Sequence, residues 1–359
     1  MKKITFLLPG GIKSPVGGYK VVYEYANRLV NNNYQVNIIF PATLLWKEQS
    51  LKNKFKSIIK YLLLKINKKK YLPYEWFPLD KRIKLKWVPS LEEKYIPDGN
   101  YIFATAWQTS EYLAKYSNNK GEKFYLIQHY ELWNITEERL LATWKMPLKK
   151  IVISSWLKKI ADNLNEKSIL INNGLDFNKF NMDVEIEKRN KKNILMLYHE
   201  ADFKGVKYGI EALKIIKENY NDIKVVSFGA FKKPKNLPKW IEYYYSPKQE
   251  ILRALYNDAS IFLGTSLGEG WGLTVSEAMQ CGCTIVCTDV VGYDEFAFDN
   301  DTALLCPPKD SEKLAENVIK LLKNDELRCK IAENGYKYIQ RFTWEKSYEK
   351  LLKILAEFK

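Results

Sequence analysis

Histidine is nearly missing from this chain: there are two in 359 residues, His129 and His199. The five cysteines, Cys281, Cys283, Cys287, Cys306 and Cys329, show no C-x-x-C spacing. Together these scarcities argue against a zinc site, and the thiols are read as reduced and mostly buried, in a cytoplasmic protein. No apolar run approaches the ~20 residues that span a bilayer. Met1-Lys2-Lys3 leads straight into ITFLLPG, too short for a secretory signal. No G-x-G-x-x-G follows the first strand pattern, since LLPGGIKSPVGG has the wrong spacing, so a dinucleotide oxidoreductase is disfavoured. There is no fixed-period solenoid repeat.

What is present reads as globular: hydrophobic residues make up 46% and charged residues 28%. The length suggests two domains. The net charge of +15 is unevenly placed. Residues 1–180 hold 30 Lys and Arg against 15 Asp and Glu, and residues 181–359 hold 27 of each. One half therefore meets something acidic and the other does not need to.

The chain opens as strand, helix, strand: KKITFLLPGG, VGGYKVVYEYANRLVNNN, then YQVNIIFP. NYIFATAW, KFYLIQHY and KKIVIS follow as buried strands. The alternation restarts at NILMLYH and runs through VKYGIEALKIIKEN, IKVVSFG, KQEILRALYNDA, SIFLGTS, TVSEAMQCG and CTIVCTD. The polar run 181–193 between the halves reads as a linker. The expectation is an α/β protein with two Rossmann-like domains facing a central cleft, ligands lying at the carboxyl ends of the strands.

After SIFLGTS comes GEGWGLTVSEAMQCG, with Glu269 in a glycine-rich turn and Glu277 inside the helix that follows. Exposed amides at such a helix start attract phosphate, and carboxylates grip sugar hydroxyls. A plainer reading is open at this point. Thr274-Val275-Ser276-Glu277 fits a capping box, and Glu269 fits a solvated loop. Asp299-Asn300-Asp301 fits a metal-binding D-x-D, but Asp and Asn are ordinary turn formers, and no metal is assigned.

This stretch resembles the retaining glycosyltransferases of the GT-B fold, family four, whose signature is E-G-x-G-L-x-x-x-E-A-M-x-x-G. Here it reads Glu269, Gly270, Trp271, Gly272, Leu273, Glu277, Ala278, Met279, Gly282. INNGLDFNKF is similar to the family's P-N-G-x-D-x-x-x-F without its proline, VVGYDEF to its G-x-x-E, and RFTWEKSYEK to its closing R-F-S-W helix. By resemblance Glu269 contacts the transferred sugar and Glu277 the ribose, while backbone amides from Gly272 to Thr274 face the diphosphate. Gly17-Gly18 approach the diphosphate and acceptor, although on spacing alone a Gly-Gly before a helix is a plain turn. By the same resemblance Lys204, in HEADFKG, would clamp phosphate. Where the family has an arginine in that clamp, this chain has His199, so a fixed charge is replaced by a titratable one. His129, after a strand of the first domain, matches the family's donor-sugar histidine, with Gln128 and Glu131 as acceptor-side candidates.

The resemblance implies domains at 1–182 for the acceptor and 183–340 for the nucleotide sugar, with residues 341–359 forming a helix that crosses back to the first domain. It implies a metal-independent, cofactor-free transfer from a nucleoside diphosphate sugar to a saccharide or lipid-linked acceptor, in bacterial surface polysaccharide synthesis. His129, Lys204 and Glu269 would be the catalytic set. The rivals are a sugar-nucleotide epimerase and a non-catalytic scaffold on the same fold. Lys47–Trp76 mixes apolar residues with many lysines, and it reads as a face for an anionic membrane or as a core-facing helix with solvated lysines. Nucleic acid is disfavoured, because arginine is scarce there and no known module appears. The localisation that follows is cytoplasmic and peripheral to the membrane.

Overall fold

Two parallel sheets organise the chain in the computed structural model. It describes residues 1–11, 15–44, 48, 50–66, 76–132 and 135–358. Within the Lys47–Trp76 stretch, residues 47, 49 and 67–75 lie outside the described residues, as do the side chains at 60, 64 and 65. The chain forms two compact units, Met1–Asn172 with Ser347–Lys359, and Asn173–Lys346.

Unit 1 runs β1 (Lys3–Leu7), α1 (Gly17–Asn31), β2 (Gln35–Pro41), α2 (Leu51–Ile66), β3 (Lys84–Val88), β4 (Tyr101–Ala104), α3 (Trp107–Leu113), β5 (Glu122–Ile127), α4 (Glu137–Trp144), β6 (Lys149–Val152), α5 (Ser155–Asn163) and β7 (Ser168–Leu170). Its seven strands lie in the order β3-β2-β1-β4-β5-β6-β7, all parallel. A parallel sheet is covered on both faces, which is why β1 and β4 are buried almost without alternation. The face of α1 formed by Val22, Ala26 and Leu29 is fully buried.

Unit 2 runs β8 (Asn193–Leu197), α6 (Val206–Asn219), β9 (Lys224–Gly229), β10 (Ile241–Tyr245), α7 (Gln249–Asp258), β11 (Ile261–Gly264), α8 (Leu273–Gln280), β12 (Thr284–Thr288), β13 (Ala303–Cys306), α9 (Ser311–Lys323) and α10 (Asp325–Ile339). Its order is β10-β9-β8-β11-β12-β13, again all parallel. Ile194, Met196, Leu263 and Val286 of the sheet pack with Leu213 and Ile216 of α6 and Val318 and Leu321 of α9.

The run 181–193 is not a free linker. Arg189 is buried and donates to the carbonyls of Val184, Tyr256, Ala259 and Cys281, which fastens this stretch into unit 2. The final helix, α11 (Trp344–Glu357), joins unit 1 from Ser347 onward. Ser347 Oγ donates to the Asn172 carbonyl at 2.7 Å, Tyr348 OH to the Arg28 carbonyl at 3.0 Å, and Tyr101 OH to the Leu355 carbonyl.

In both units the strand order reverses beside the first strand: between β1 and β4, and between β8 and β11. Loops leaving such a pair of strands diverge to opposite faces, and the gap they open is where ligands bind in folds of this type.

Candidate active site

The switch point of unit 2 brings together two loops far apart in sequence. The loop after β8 carries His199 and ends in a single 3-10 turn, Asp202–Lys204, before Gly205 caps α6. The loop after β11 carries Thr265, Ser266 and Glu269. Two bonds lock the loops to each other: Thr265 Oγ1 donates to the Lys204 carbonyl at 2.8 Å, and Leu267 N to the Phe203 carbonyl at 2.6 Å. Across this frame the Lys204 ammonium meets Glu269 Oε1 at 2.5 Å, and Ser266 Oγ donates to the same oxygen at 2.7 Å. The two charged side chains are 18% and 11% exposed, so neither charge is idle in solvent. Deleting one partner would leave the other charge unpaired in a largely covered position.

Gly292 and Tyr293 of the loop after β12 pack closely on this turn. A Cβ at Gly292 would lie 2.3 Å from the Glu269 carbonyl oxygen and 2.5 Å from the Glu269 Cβ. Gly272 sits at φ +89°, a left-handed conformation, and a Cβ there would meet the Tyr293 ring at 2.3 Å. Gly272 is also the N-cap of α8, and no side chain caps the helix start. The first-turn amides, Leu273 and Thr274 among them, have no partner within the helix itself, which suits them to an anion.

Glu277 is therefore not part of a capping box. The helix begins at Leu273, and Ser276 Oγ turns back onto the Gly272 and Leu273 carbonyls. Glu277 Oε2 accepts a long hydrogen bond, 3.4 Å, from Tyr256 OH of α7. Burial holds the Tyr256 phenol well above its ordinary pKa, so it remains the donor. Trp271 faces away from solvent: it is 2% exposed, and its ring lies 5.6 Å from Phe296 and 5.1 Å from Phe342. What this residue can offer a ligand is its backbone.

His199 Nδ1 accepts from the Ala201 amide at 3.0 Å, which leaves the proton of the neutral ring on Nε2. Its pKa is lowered, first by burial and then by Lys204, with Glu269 acting the other way. The ring packs edge-on to Phe231 at 4.9 Å.

Unit 1 gathers its own candidates at the carboxyl ends of its strands. Tyr19 OH closes the loop after β1 by donating to the Gly10 carbonyl at 2.7 Å. Gly17 and Gly18 open α1, and Gln128 Nε2 donates to the Gly18 carbonyl at 3.2 Å. His129 Nδ1 lies 3.1 Å from the Tyr130 carbonyl oxygen, and its ring stands edge-on to Trp156. Glu131 Oε2 accepts from the Trp107 amide at the start of α3, at 2.9 Å. Burial nevertheless pushes its pKa up to about 7. Arg139 lies over the Trp107 ring, 5.0 Å from its centroid, and pairs with both Glu111 and Glu48.

Asp299 accepts from the Leu305 amide, and Asn300 adopts φ +57°, so the D-x-D is a turn. Among the described residues no group of three or more His, Cys, Asp or Glu could hold a metal ion. Burial raises the pKa of every thiol, with Cys283 at about 11 and Cys306 at about 12. Among the described residues no helix is long and apolar enough to cross a membrane.

Sequence reasoning named Lys204, Glu269, Glu277 and the glycine turn, but it missed Thr265, Ser266 and Tyr256, and it gave no role to Gly292 and Tyr293, which open the G-x-x-E segment. The signal for the first two was present: hydroxyl residues directly after a buried strand.

Residues 178–338 match the family model "Glycosyl transferases group 1". An uncharacterised glycosyltransferase of Methanocaldococcus jannaschii is 27% identical over 58% of this chain and 59% of its own length. The capsular polysaccharide biosynthesis glycosyltransferase CapM of Staphylococcus aureus is 23% identical over 65% of each chain. The chain thus spans less than two thirds of the length of these curated relatives. Among solved structures, Anabaena HepE in complex with UDP-glucose superposes with a TM-score of 0.73 at 14% identity, over 99% of this chain and 100% of that one. Residues 178–338 thus resemble group 1 glycosyltransferases, and the two parallel-sheet units match the GT-B fold of HepE.

Proposed function

We propose that the protein is a retaining glycosyltransferase that moves a sugar from a nucleoside diphosphate sugar to a saccharide or lipid-linked acceptor in bacterial surface polysaccharide synthesis. The observation that carries this reading is Lys204 and Glu269 held together, with Ser266, at the switch point of unit 2, one turn of chain from the uncapped start of α8. An ammonium beside a helix N-terminus suits a diphosphate. A carboxylate held by a serine and a lysine suits sugar hydroxyls.

In the proposed reaction the bond between the sugar's anomeric carbon and the diphosphate oxygen breaks, and the electron pair leaves with the diphosphate. The acceptor hydroxyl oxygen bonds to that carbon on the same face, and its proton passes to the departing phosphate. Lys204 and the amides from Gly272 to Thr274 take up the charge that develops on the leaving group. His199 Nε2–H adds a donor, and phosphate nearby draws a second proton onto the ring. Glu269 orients the sugar and Glu277 the ribose, with Gly270 and Leu273 shaping the turn. In unit 1, His129 contacts the donor sugar, Gly17 and Gly18 the diphosphate, and Gln128 and Glu131 the acceptor. The reading needs no metal, and it places the reaction in the cytoplasm, at the membrane's inner face.

UDP-glucose bound to HepE, and the capsular role in the name of CapM, support a nucleotide-sugar donor and a polysaccharide product. The test is to incubate the protein with UDP-, GDP-, ADP- and dTDP-sugars and an oligosaccharide mixture, with and without EDTA. Release of nucleoside diphosphate that depends on acceptor and resists EDTA, with retained anomeric configuration, is expected. Turnover without acceptor, yielding an isomerised sugar nucleotide, would instead mark an epimerase.

A further inference from the structure

Helix α2 is built inside out. Phe55, Leu62, Leu63 and Ile66 are 66%, 52%, 61% and 84% exposed, and Ile58 and Ile59 stand exposed beside them. At 3.6 residues per turn these six side chains fill one arc of about 140°. An amphipathic helix of a globular unit turns such an arc to the core. Here the opposite side is the seated one: Ser57 and Tyr61 are partly covered, and the Tyr61 ring packs edge-on to Trp87 of β3 at 5.7 Å. The core-facing expectation for this segment therefore fails among the described residues, and a contiguous apolar face is left to solvent. Soluble monomers rarely leave one of this kind without a use.

Charge narrows what covers it. Lys56 is exposed at one edge of the arc with exposed Lys52 just inside it, and Lys54 lies at the other edge. The positive excess of the chain lies wholly within residues 1–180. A second copy of the same face would set these lysines against each other. An anionic bilayer accepts both parts of the face, taking the apolar side chains below the headgroups and the ammonium groups at their level.

We propose that α2 docks the protein on an anionic lipid surface. Docking itself does not depend on the transferase reading, but its purpose rests on it. Glu48, just before α2, pairs with Arg139 at 2.7 Å, and Arg139 lies over Trp107, whose amide is bonded to Glu131. The root of the membrane helix is thereby tied to the wall that carries the acceptor-side candidate, which fits an acceptor presented from the bilayer on a lipid carrier.

The test is flotation of the full chain with vesicles of phosphatidylcholine alone, or phosphatidylcholine with phosphatidylglycerol, at low and high salt. The protein is expected to float with the anionic vesicles at low salt and to be released by high salt. Each lysine near such a surface is worth about fivefold in partition, so the Lys52→Gln/Lys56→Gln variant should bind about 25-fold more weakly. The Phe55→Ser/Leu62→Ser/Leu63→Ser variant should stay in solution with an unchanged melting temperature. Both variants should keep nucleotide binding, so a failure here is distinguishable from a failure of the transferase reading. Wild-type protein that stays in the aqueous phase with anionic vesicles overturns the proposal, whether light scattering then shows a monomer or a dimer that the serine substitutions disperse. Equal flotation with phosphatidylcholine alone overturns the requirement for anionic lipid.

Discussion

The two units share a topology and divide the chemistry. Each reverses its strand order beside its first strand, and each gathers polar residues at the carboxyl ends of the strands. Unit 2 places a closed set there: Lys204, Ser266 and Glu269 satisfy one another, and Gly292 leaves the room they need. Unit 1 places an unbalanced set. Glu131 is half-buried with one backbone donor and titrates near neutrality, and the chain's positive excess falls in this half. The same sheet thus carries a mutually satisfied charged set in one unit and, in the other, a wall whose carboxyl titrates near neutrality.

The largest effect should come from breaking the closed set. Glu269→Gln removes the charge that holds Lys204, and turnover should fall about 100- to 1,000-fold, the usual loss when one preorganised charge-stabilising contact is removed. Steady-state release of nucleoside diphosphate measures it. Glu131→Gln should act on stability instead. A carboxyl whose pKa is raised to about 7 from an ordinary 4.5 binds its proton more tightly in the folded state. The fold therefore loses stability as pH rises from the lower value to the higher, by about 3 kcal/mol in all. The glutamine variant should flatten that slope and melt higher than wild type above pH 7, as differential scanning calorimetry across pH would show.

Gly292→Ala should cost about 1–3 kcal/mol of stability through the forced contact with Glu269, and lower turnover as that carboxylate shifts. Thermal melting and turnover measured on one preparation separate the two effects. The smallest effect belongs to His199. Burial and Lys204 lower the pKa of its ring; if the proposed diphosphate binds beside it and draws a proton onto it, nucleoside diphosphate affinity should rise as pH falls toward the pKa of the bound state. His199→Arg should bind about tenfold more tightly at neutral pH, a charged hydrogen bond replacing a neutral one, and should lose the pH dependence. Calorimetric titrations in buffers of differing ionisation heat would detect the proton uptake.

Much of the fold was legible because buried parallel strands are short apolar runs. β1, β2, β4, β5 and β6 of unit 1 read that way, as did β8, β9, β11 and β12 of unit 2. β3 was not legible: KLKWV mixes lysines with apolar residues at the edge of the sheet. β10, IEYYY, is the corresponding edge strand of unit 2, and β7 has only three residues. In the site, Lys204 and Glu269 were nameable from local motifs, but their contact was not, since it depends on β8 and β11 being neighbours across the switch point. Tyr256 and the packing of Gly292 on Glu269 were hidden for the same reason. Their roles come from what lies opposite them, and a single sequence does not record that.

The central claim is that unit 2 binds a nucleoside diphosphate between Lys204 and the start of α8, with Glu277 gripping the ribose. Calorimetric titration of UDP, GDP, ADP and dTDP into the protein, without metal, tests it most directly, beside Glu277→Gln. Clear binding of at least one nucleotide is expected, weakened about tenfold or more in the variant, as loss of a hydrogen bond to a charged group implies. No binding by any of the four, in protein that melts cooperatively, would contradict it.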